Sequence, residues 1–311
     1  MTQTSGARVL VTGGAGFIGS HTVEALLADG AQVRVLDNLS SGKESNLPLG
    51  ETSLELIEGD ITDRRVVEVA MRDVTHCLHL AAQVSVIRSV EDPVHSASQN
   101  ILGPVTLLQA AKEQGLEKFV YASSAAVYGD PESLPLAETA RLAPLSPYGL
   151  EKQVDEQYAA LFASLHGVKS LGMRYFNVYG PRQDPASPYA GVISKFVDLL
   201  SKNEAPTVFG DGGQTRDFVY VKDVARANVA ALFSDHVGVC NVATGATINL
   251  LELLDTLRDV LDSDAQAKHV DGRSDDIRHS CGDASRLKSW LGFEPEWTLA
   301  AGLQALAAAS R

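Results

Sequence analysis

The sequence predicts an α/β protein, a doubly wound parallel sheet followed by a smaller α/β substrate domain. Three observations carry that expectation. Short apolar runs alternate with stretches of helical periodicity from residue 8 to about residue 175, glycines spaced G-x-G-x-x-G fall at the first strand-to-helix junction, and an aspartate closes the second strand.

Arg8 to Thr12 is an apolar run that ends in glycines, and Phe17, Ile18, Val23, Leu26 and Leu27 follow at helical spacing up to Gly30. The alternation continues with strands at Gln32 to Asp37, Leu54 to Glu58, His76 to Ala81 and Phe119 to Ser123. Helices are expected at Arg64 to Met71 and Pro93 to Gln114. A further helix is expected from Ser146 to His166, with apolar positions Leu150, Val154, Tyr158, Leu161, Phe162 and Leu165, and a strand from Val168 to Tyr175. Strands separated by helices imply βαβ units and a Rossmann-type doubly wound parallel sheet. Beyond Gly180 the pattern changes to a Pro-rich loop (Pro181, Pro185, Pro188), short strands and Gly-rich turns at Gly210 to Gly213. The expected division is therefore residues 1–176 with about 222–244 as a dinucleotide-binding domain, and 177–221 with about 245–311 as the substrate domain. No linker is rich enough in Gly, Ser and Pro to separate them, so they should share a cleft.

With 311 residues, 45% hydrophobic and 21% charged, the chain can bury a sizeable core and leaves little room for disorder. Twenty-six basic against 39 acidic side chains give a net charge of −13, which repels nucleic-acid phosphate and anionic membranes. No apolar stretch approaches the roughly 18 residues of a membrane span, and Met1 to Arg8 lack the pattern of a secretory leader, so a cytoplasmic protein is expected. Cys77, Cys240 and Cys281 are far apart and lack metal-site spacing; they are expected to be reduced, and no metal site is expected.

Gly14-Ala-Gly16-Phe-Ile-Gly19 satisfies the dinucleotide spacing, with Gly13 offering a second phasing. Such glycines let backbone approach a pyrophosphate and let helix pack on strand, while the helix N-terminus offers N–H groups and positive potential. Asp37 stands where a carboxylate can accept from the adenosine ribose hydroxyls and would repel a 2′-phosphate, which favours NAD over NADP; Arg34 and Lys43 are the cations close enough in sequence to oppose that choice. Asp60, Ile61, Leu80, Ala81 and Ala82 follow the third and fourth strands, where loops line a dinucleotide cleft.

Tyr148 and Lys152 lie four residues apart on one helix face, and Ser123 and Ser124 end the fifth strand. A phenol with an ordinary pKa of about 10 is a poor base at neutral pH, but a nearby ammonium and a cationic nicotinamide both favour the phenolate, which makes a tyrosine a competent general base. A seryl hydroxyl beside it can share the substrate proton.

On these residues, together with His79-Leu-Ala-Ala82, Ser123-Ser-Ala-Ala-Val-Tyr-Gly129, Arg174-Tyr-Phe-Asn-Val-Tyr-Gly-Pro181, Phe209-Gly-Asp-Gly212 and Thr215-Arg-Asp-Phe-Val-Tyr-Val221, the chain resembles the extended short-chain dehydrogenases/reductases over nearly its whole length. Within them it is most similar to UDP-glucose (UDP-galactose) 4-epimerases, including members acting on N-acetylated sugars. The resemblance implies Tyr148 as the base, Lys152 on the nicotinamide ribose and Ser124 beside the sugar. It implies NAD contacts from Gly13, Gly16, Phe17, Ile18, Gly19, Asp37, Asn38, Asp60, Ile61, Leu80, Ala81, Ala82, Asn100, Ser123, Tyr148, Lys152 and Tyr175. It implies nucleotide-sugar contacts from Asn177, Val192, Phe209, Arg216, Arg273, Asp276 and Ser280. Guanidinium forks at Arg216 and Arg273 also suit a diphosphate on chemical grounds. Ser280 takes a position where a tyrosine narrows the sugar pocket in some epimerases, so room for an N-acetyl group is expected.

The expected reaction is transient oxidation at C4 of a UDP-sugar to a 4-keto intermediate, which turns and is reduced on its other face with no net redox change. The related 4,6-dehydratases carry Asp-Glu directly after the Ser/Thr, where this chain has Ala125 and Ala126. Methyl groups move no protons, which disfavours dehydration, and related decarboxylases also carry a carboxylate there. A catalytically idle dinucleotide sensor would not need Tyr148 and Lys152. The resemblance implies a homodimer through the helices at about Pro93 to Gln114 and Ser146 to His166, although helices that merely cover their own sheet would show the same periodicity.

Overall fold

The computed structural model describes residues 4, 6–184, 191–272 and 277–309. The first half runs β1 (Arg8–Thr12), α1 (Phe17–Ala28), β2 (Gln32–Asp37), β3 (Leu54–Glu58), α2 (Arg64–Ala70), β4 (His76–His79), α3 (Val86–Glu91), α4 (Pro93–Ala97), α5 (Gly103–Gln114), β5 (Lys118–Ser124), α6 (Pro147–His166) and β6 (Ser170–Tyr175). The second half runs β7 (Asn177–Tyr179), α7 (Val192–Ser201), β8 (Thr207–Phe209), β9 (Thr215–Arg216), β10 (Phe218–Tyr220), α8 (Val221–Leu232), β11 (Gly238–Val242), β12 (Ile248–Asn249), α9 (Leu250–Leu261), β13 (Lys268–Val270), α10 (Ser285–Leu291) and α11 (Leu299–Ala309).

Seven strands form one parallel sheet in the order β11-β6-β5-β4-β1-β2-β3. Apolar side chains such as Val9, Leu10 and Val11 of β1 are completely buried because helices cover both faces, the environment a parallel strand requires. Strand order reverses between β1 and β4, the switch point at which such sheets open a crevice at their carboxyl edge. Val224, Ala227 and Ala231 of α8 join this core, so the chain returns to the sheet after its excursion through β7–β10.

A separate apolar cluster holds the remainder. Ile193, Phe196, Val197 and Leu200 of α7 pack with Leu250, Leu253, Leu254 and Leu257 of α9 and with Leu303 and Leu306 of α11. The strands here form three pairs, β7 with β10, β9 with β12 and β8 with β13.

One element departs from expectation, and a second settles which way its apolar row turns. The helix expected over Pro93 to Gln114 is interrupted by a wide π-type turn at Ser98–Leu102. Pro104 has no N–H to donate to the carbonyl of residue 100, and its ring crowds that carbonyl, so the regular ladder cannot continue. In α6 the apolar row divides: Phe162 packs against the core beside Ala159, and most of the rest of the row turns outward. Leu150, Leu161 and Leu165 are 53%, 54% and 70% exposed, while Gly149, Lys152, Asp155 and Ala159 are buried. The inward side is small and polar in its first half, Gly149 to Asp155, and joins the apolar core in its second, at Ala159 and Phe162.

Candidate active site at the carboxyl edge of the sheet

The glycine loop joins β1 to α1. Gly13 has φ +69°, and a Cβ there would stand 2.7 Å from the backbone nitrogen of Ala81. A Cβ at Gly19 would stand 2.1 Å from the carbonyl oxygen of Gly13. Both positions are closed to any side chain, and the close approach brings Leu80 and Ala81 beside the loop. The N-terminus of α1 is capped by Gly16 without a side-chain acceptor, whereas α2, α6 and α9 carry Asp63, Ser146 and Asn249 as caps. Its N–H groups are therefore available to an anion.

Asp37, nearly buried, accepts from the backbone N–H groups of Ala15 at 3.0 Å and Leu39 at 2.9 Å. The carboxylate is thereby fixed against the loop with lone pairs to spare for hydroxyl donors. Asp60 accepts from the N–H and hydroxyl of Thr62 and from the Asn38 amide. Burial works against its charge, yet these donors hold its carboxyl below the usual range. Arg34 is committed elsewhere, to Glu55 at 2.7 Å and to the carbonyls of Ala70 and Arg72, so it does not offset the negative charge of Asp37. An uncapped helix end, a cradle that any Cβ would fill and a fixed ribose-side carboxylate together fit a dinucleotide without a 2′-phosphate.

Across the crevice, Ser146 caps α6 by accepting from Gly149 N–H, and Ser89 Oγ of α3 accepts from Tyr148 N–H at 3.1 Å. Ser124 ends β5 and caps the short turn Ala125–Val127, against which the start of α6 packs. Ser124 at the end of β5 thus adjoins the helix that carries Tyr148 and Lys152, which lie close enough to each other to interact electrostatically. Lys152 is 1% exposed and donates to Asp155 Oδ2 at 3.2 Å. Burial alone would lower its ammonium, but Asp155, Tyr148 and Glu151 carry it above the usual lysine value. His79 is buried with Nδ1 2.8 Å from Thr12 Oγ1; burial, assisted by Lys152, pushes it down to about 3, so the imidazole is neutral.

Several expected cofactor residues play supporting parts through their side chains. The Ser123 hydroxyl donates to Glu156, which also forks Arg174 at 2.8 and 2.6 Å. The Tyr175 hydroxyl donates to Asn228 of α8. Asn100, carried inward by the π-type turn, accepts from Gln83 N–H and donates to Glu151. Ile61 packs into the core against α5. Phe17 and Ile18 at the start of α1 and Ala82 after β4 are partly exposed, Ile18 packing also against the main core.

The facing wall comes from the second half. Asn177 opens β7, Arg216 ends β9, and Ser280 N–H donates to the Thr215 carbonyl at 3.1 Å. Phe209 ends β8, its carbonyl accepting from Gln214, and Val192 starts α7 against the second core. Arg273 and Asp276 lie outside the described residues. Asp217, fully buried, ties this wall together: its carboxylate accepts from Thr244 N–H and hydroxyl, Gly245 N–H and Gly282 N–H. Burial pushes its carboxyl up, although those four donors oppose the shift.

Among the residues with parts in the site that were not singled out from sequence are Ser89, Gln83, Asp155 and Glu156. Glu156 carried a readable signal, since it continues the Tyr148–Lys152 spacing by another turn. Among the described residues no group of three or more His, Cys, Asp or Glu could hold a metal ion, and no helix is long and apolar enough to cross a membrane.

A parallel sheet whose strand order reverses, with a glycine loop, a fixed aspartate after its second strand and Ser124, Tyr148 and Lys152 on β5 and α6, has the architecture of an extended short-chain dehydrogenase/reductase. Residues 9–243 match the NAD dependent epimerase/dehydratase family, and the chain belongs to that family, whose cofactor is NAD. It is similar to UDP-N-acetylglucosamine 4-epimerase from Methanobrevibacter ruminantium, solved with UDP-N-acetylmuramic acid, at 40% identity, 98% of each chain and a TM-score of 0.95. UDP-glucose 4-epimerase from Thermotoga maritima, solved with UDP-glucose, is 39% identical over 98% of each chain with a TM-score of 0.94. UDP-glucose 4-epimerase from Thermus thermophilus, solved with NAD, is 40% identical over 97% of this chain and 98% of that one, with a TM-score of 0.90. Other chemistries also occur among the relatives: UDP-glucuronic acid decarboxylase 1 of Arabidopsis thaliana is 35% identical over 95% of this chain and 68% of its own length.

Proposed function

We propose that the chain is a UDP-sugar 4-epimerase that interconverts UDP-glucose and UDP-galactose, and their N-acetylated counterparts UDP-GlcNAc and UDP-GalNAc, while retaining NAD. The observation that carries this reading is the turn after Ser124. Ala125 and Ala126 form the turn against the first turn of α6, which carries Tyr148, where dehydration or decarboxylation would call for a protonatable side chain, so the reading is of proton removal and return at one hydroxyl.

When bound, NAD supplies a reversible hydride acceptor. Tyr148 takes the proton of the sugar 4-hydroxyl as C4 becomes a ketone and returns it when the opposite face is reduced, while Ser124 orients the sugar and Lys152 holds the nicotinamide ribose. Residues 1–176 with 222–244 form the cofactor side. Asn177, Val192, Phe209, Arg216 and Ser280, with Arg273 and Asp276, form the nucleotide-sugar side.

The reading includes a homodimer. Its support is the outward apolar row of α6 and its neighbours Val90, Val94 and Leu102, at 62%, 81% and 53% exposure, a surface of the kind that marks a protein contact. The reading keeps Cys77, Cys240 and Cys281 reduced and the protein in the cytoplasm; Cys77 and Cys240 are buried.

The test is to denature protein purified without added cofactor, assay the extract for NAD, and measure rates with the four UDP-sugars. Carried-over NAD and epimerisation of both pairs are expected, in a particle of twice the chain mass. A preparation that is consistently empty and works only with added NADPH overturns the reading.

A further inference from the structure

We infer that Asp155 is a positioning residue of this site: its carboxylate anchors the Lys152 ammonium on the inner face of α6 and offsets part of the positive charge that Lys152 presents to Tyr148. The inference rests on Tyr148 acting as the base, as proposed above.

Tyr148, Lys152 and Asp155 are spaced four and three residues apart, which places all three on one helix face. Lys152 and Asp155 are 1% and 3% exposed and meet at 3.2 Å. Asp155 Oδ2 accepts from the ammonium, whereas the equally buried Oδ1 has no hydrogen-bond partner. A carboxylate placed for stability alone would have both oxygens satisfied, and a half-satisfied buried ion pair is a weak source of stability. Its placement makes sense as an electrostatic partner for Lys152. An ammonium has three donors, and committing one to Asp155 fixes the chain's direction while leaving two for ribose hydroxyls.

The surrounding charges leave this task to Asp155. Glu151 is engaged by Ser96 and Asn100, and Glu156 by Ser123 and Arg174. From β4, His79 faces Lys152 as a neutral ring, and from β5, Tyr121 faces Asp155 as a neutral phenol whose ionisation burial suppresses. Burial pushes the Asp155 carboxyl up while the Lys152 ammonium holds it down; when ionised beside that ammonium it leaves the pair with no net charge. A negative charge there opposes formation of the phenolate, and its removal should favour it.

Asp155→Asn keeps an acceptor for Lys152 and deletes the charge. The expected result is that the acid limb of the kcat–pH profile moves to lower pH by about half to one unit. A second readout is independent of turnover: the phenolate absorbance that each enzyme loses on Tyr148→Phe should develop at correspondingly lower pH. Asp155→Glu, which restores the charge, should return both to their parental positions. Asp155→Ser, a second neutral replacement, should shift both as the Asn variant does and serves if that variant fails to fold. Unchanged profiles, or shifts to higher pH, in folded neutral variants overturn the inference. If Tyr148→Phe itself retains turnover, the assignment of the base has failed instead.

Discussion

The proposed cofactor wall and the proposed sugar wall are built on different principles. On the cofactor side the determinants are local and belong to the backbone: a loop that no Cβ can enter, a helix end left uncapped, and an aspartate fixed by two N–H groups of the adjoining loop. On the sugar side, strands of two or three residues are drawn from distant segments, and the buried side chain of Asp217 holds residues 244, 245 and 282 in place. A backbone cradle tolerates little variation and binds a constant ligand part. A wall joined by side-chain nodes can change its inner residues without losing its frame, which suits discrimination among sugars.

Substitutions on each wall should fail in different ways. The largest effect is expected where both walls meet the reacting atom: Tyr148→Phe should lower kcat by about 10²- to 10⁴-fold with NAD content and nucleotide affinity nearly unchanged, checked by steady-state rates and cofactor extraction. Gly19→Ala should break the cofactor side alone. Its methyl group must displace the Gly13 carbonyl, at an overpacking cost of about 1–3 kcal/mol, so NAD retention through gel filtration should fall by about 10- to 100-fold. On the sugar side, Asp217→Ala strands four donors and should raise KM for the UDP-sugar by about tenfold and lower the melting temperature, leaving the NAD content intact. Loss of NAD in that variant would show that the two walls are not separable.

Ser280→Tyr sharpens the contrast further. A ring in place of the hydroxyl should lower turnover of the N-acetylated pair by roughly tenfold, the scale of a 1–3 kcal/mol steric cost, and spare the plain pair. Equal loss on both pairs, or on neither, would show that Ser280 does not gate the sugar's substituent.

The helices illustrate what periodicity can convey. The apolar row of α6 was legible at Leu150, Tyr158, Leu161 and Leu165, but which side of the helix meets the sheet was not, because spacing records that a face is apolar and not what covers it. The break before α5 depends on Pro104 and on where Asn100 finds Gln83 and Glu151, partners 17 and 51 residues away.

Sequence alone determined the parallel sheet, the glycine loop, Asp37 and the Tyr148–Lys152 pair, because each depends on neighbours within a few turns of chain and on sterics that spacing records. Only the tertiary structure decided that Ser123 and Tyr175 turn their hydroxyls to Glu156 and Asn228, that Arg34 is taken up by Glu55, and that Asp217 joins its own segment to residues 244–245 and 282. It also decided that Lys152 shares its buried position with Asp155. The physical reason is the same throughout. Hydrogen bonds and charge pairs between distant segments are chosen by which groups the packing leaves buried together, and one buried polar group must find its partner wherever the fold has brought one.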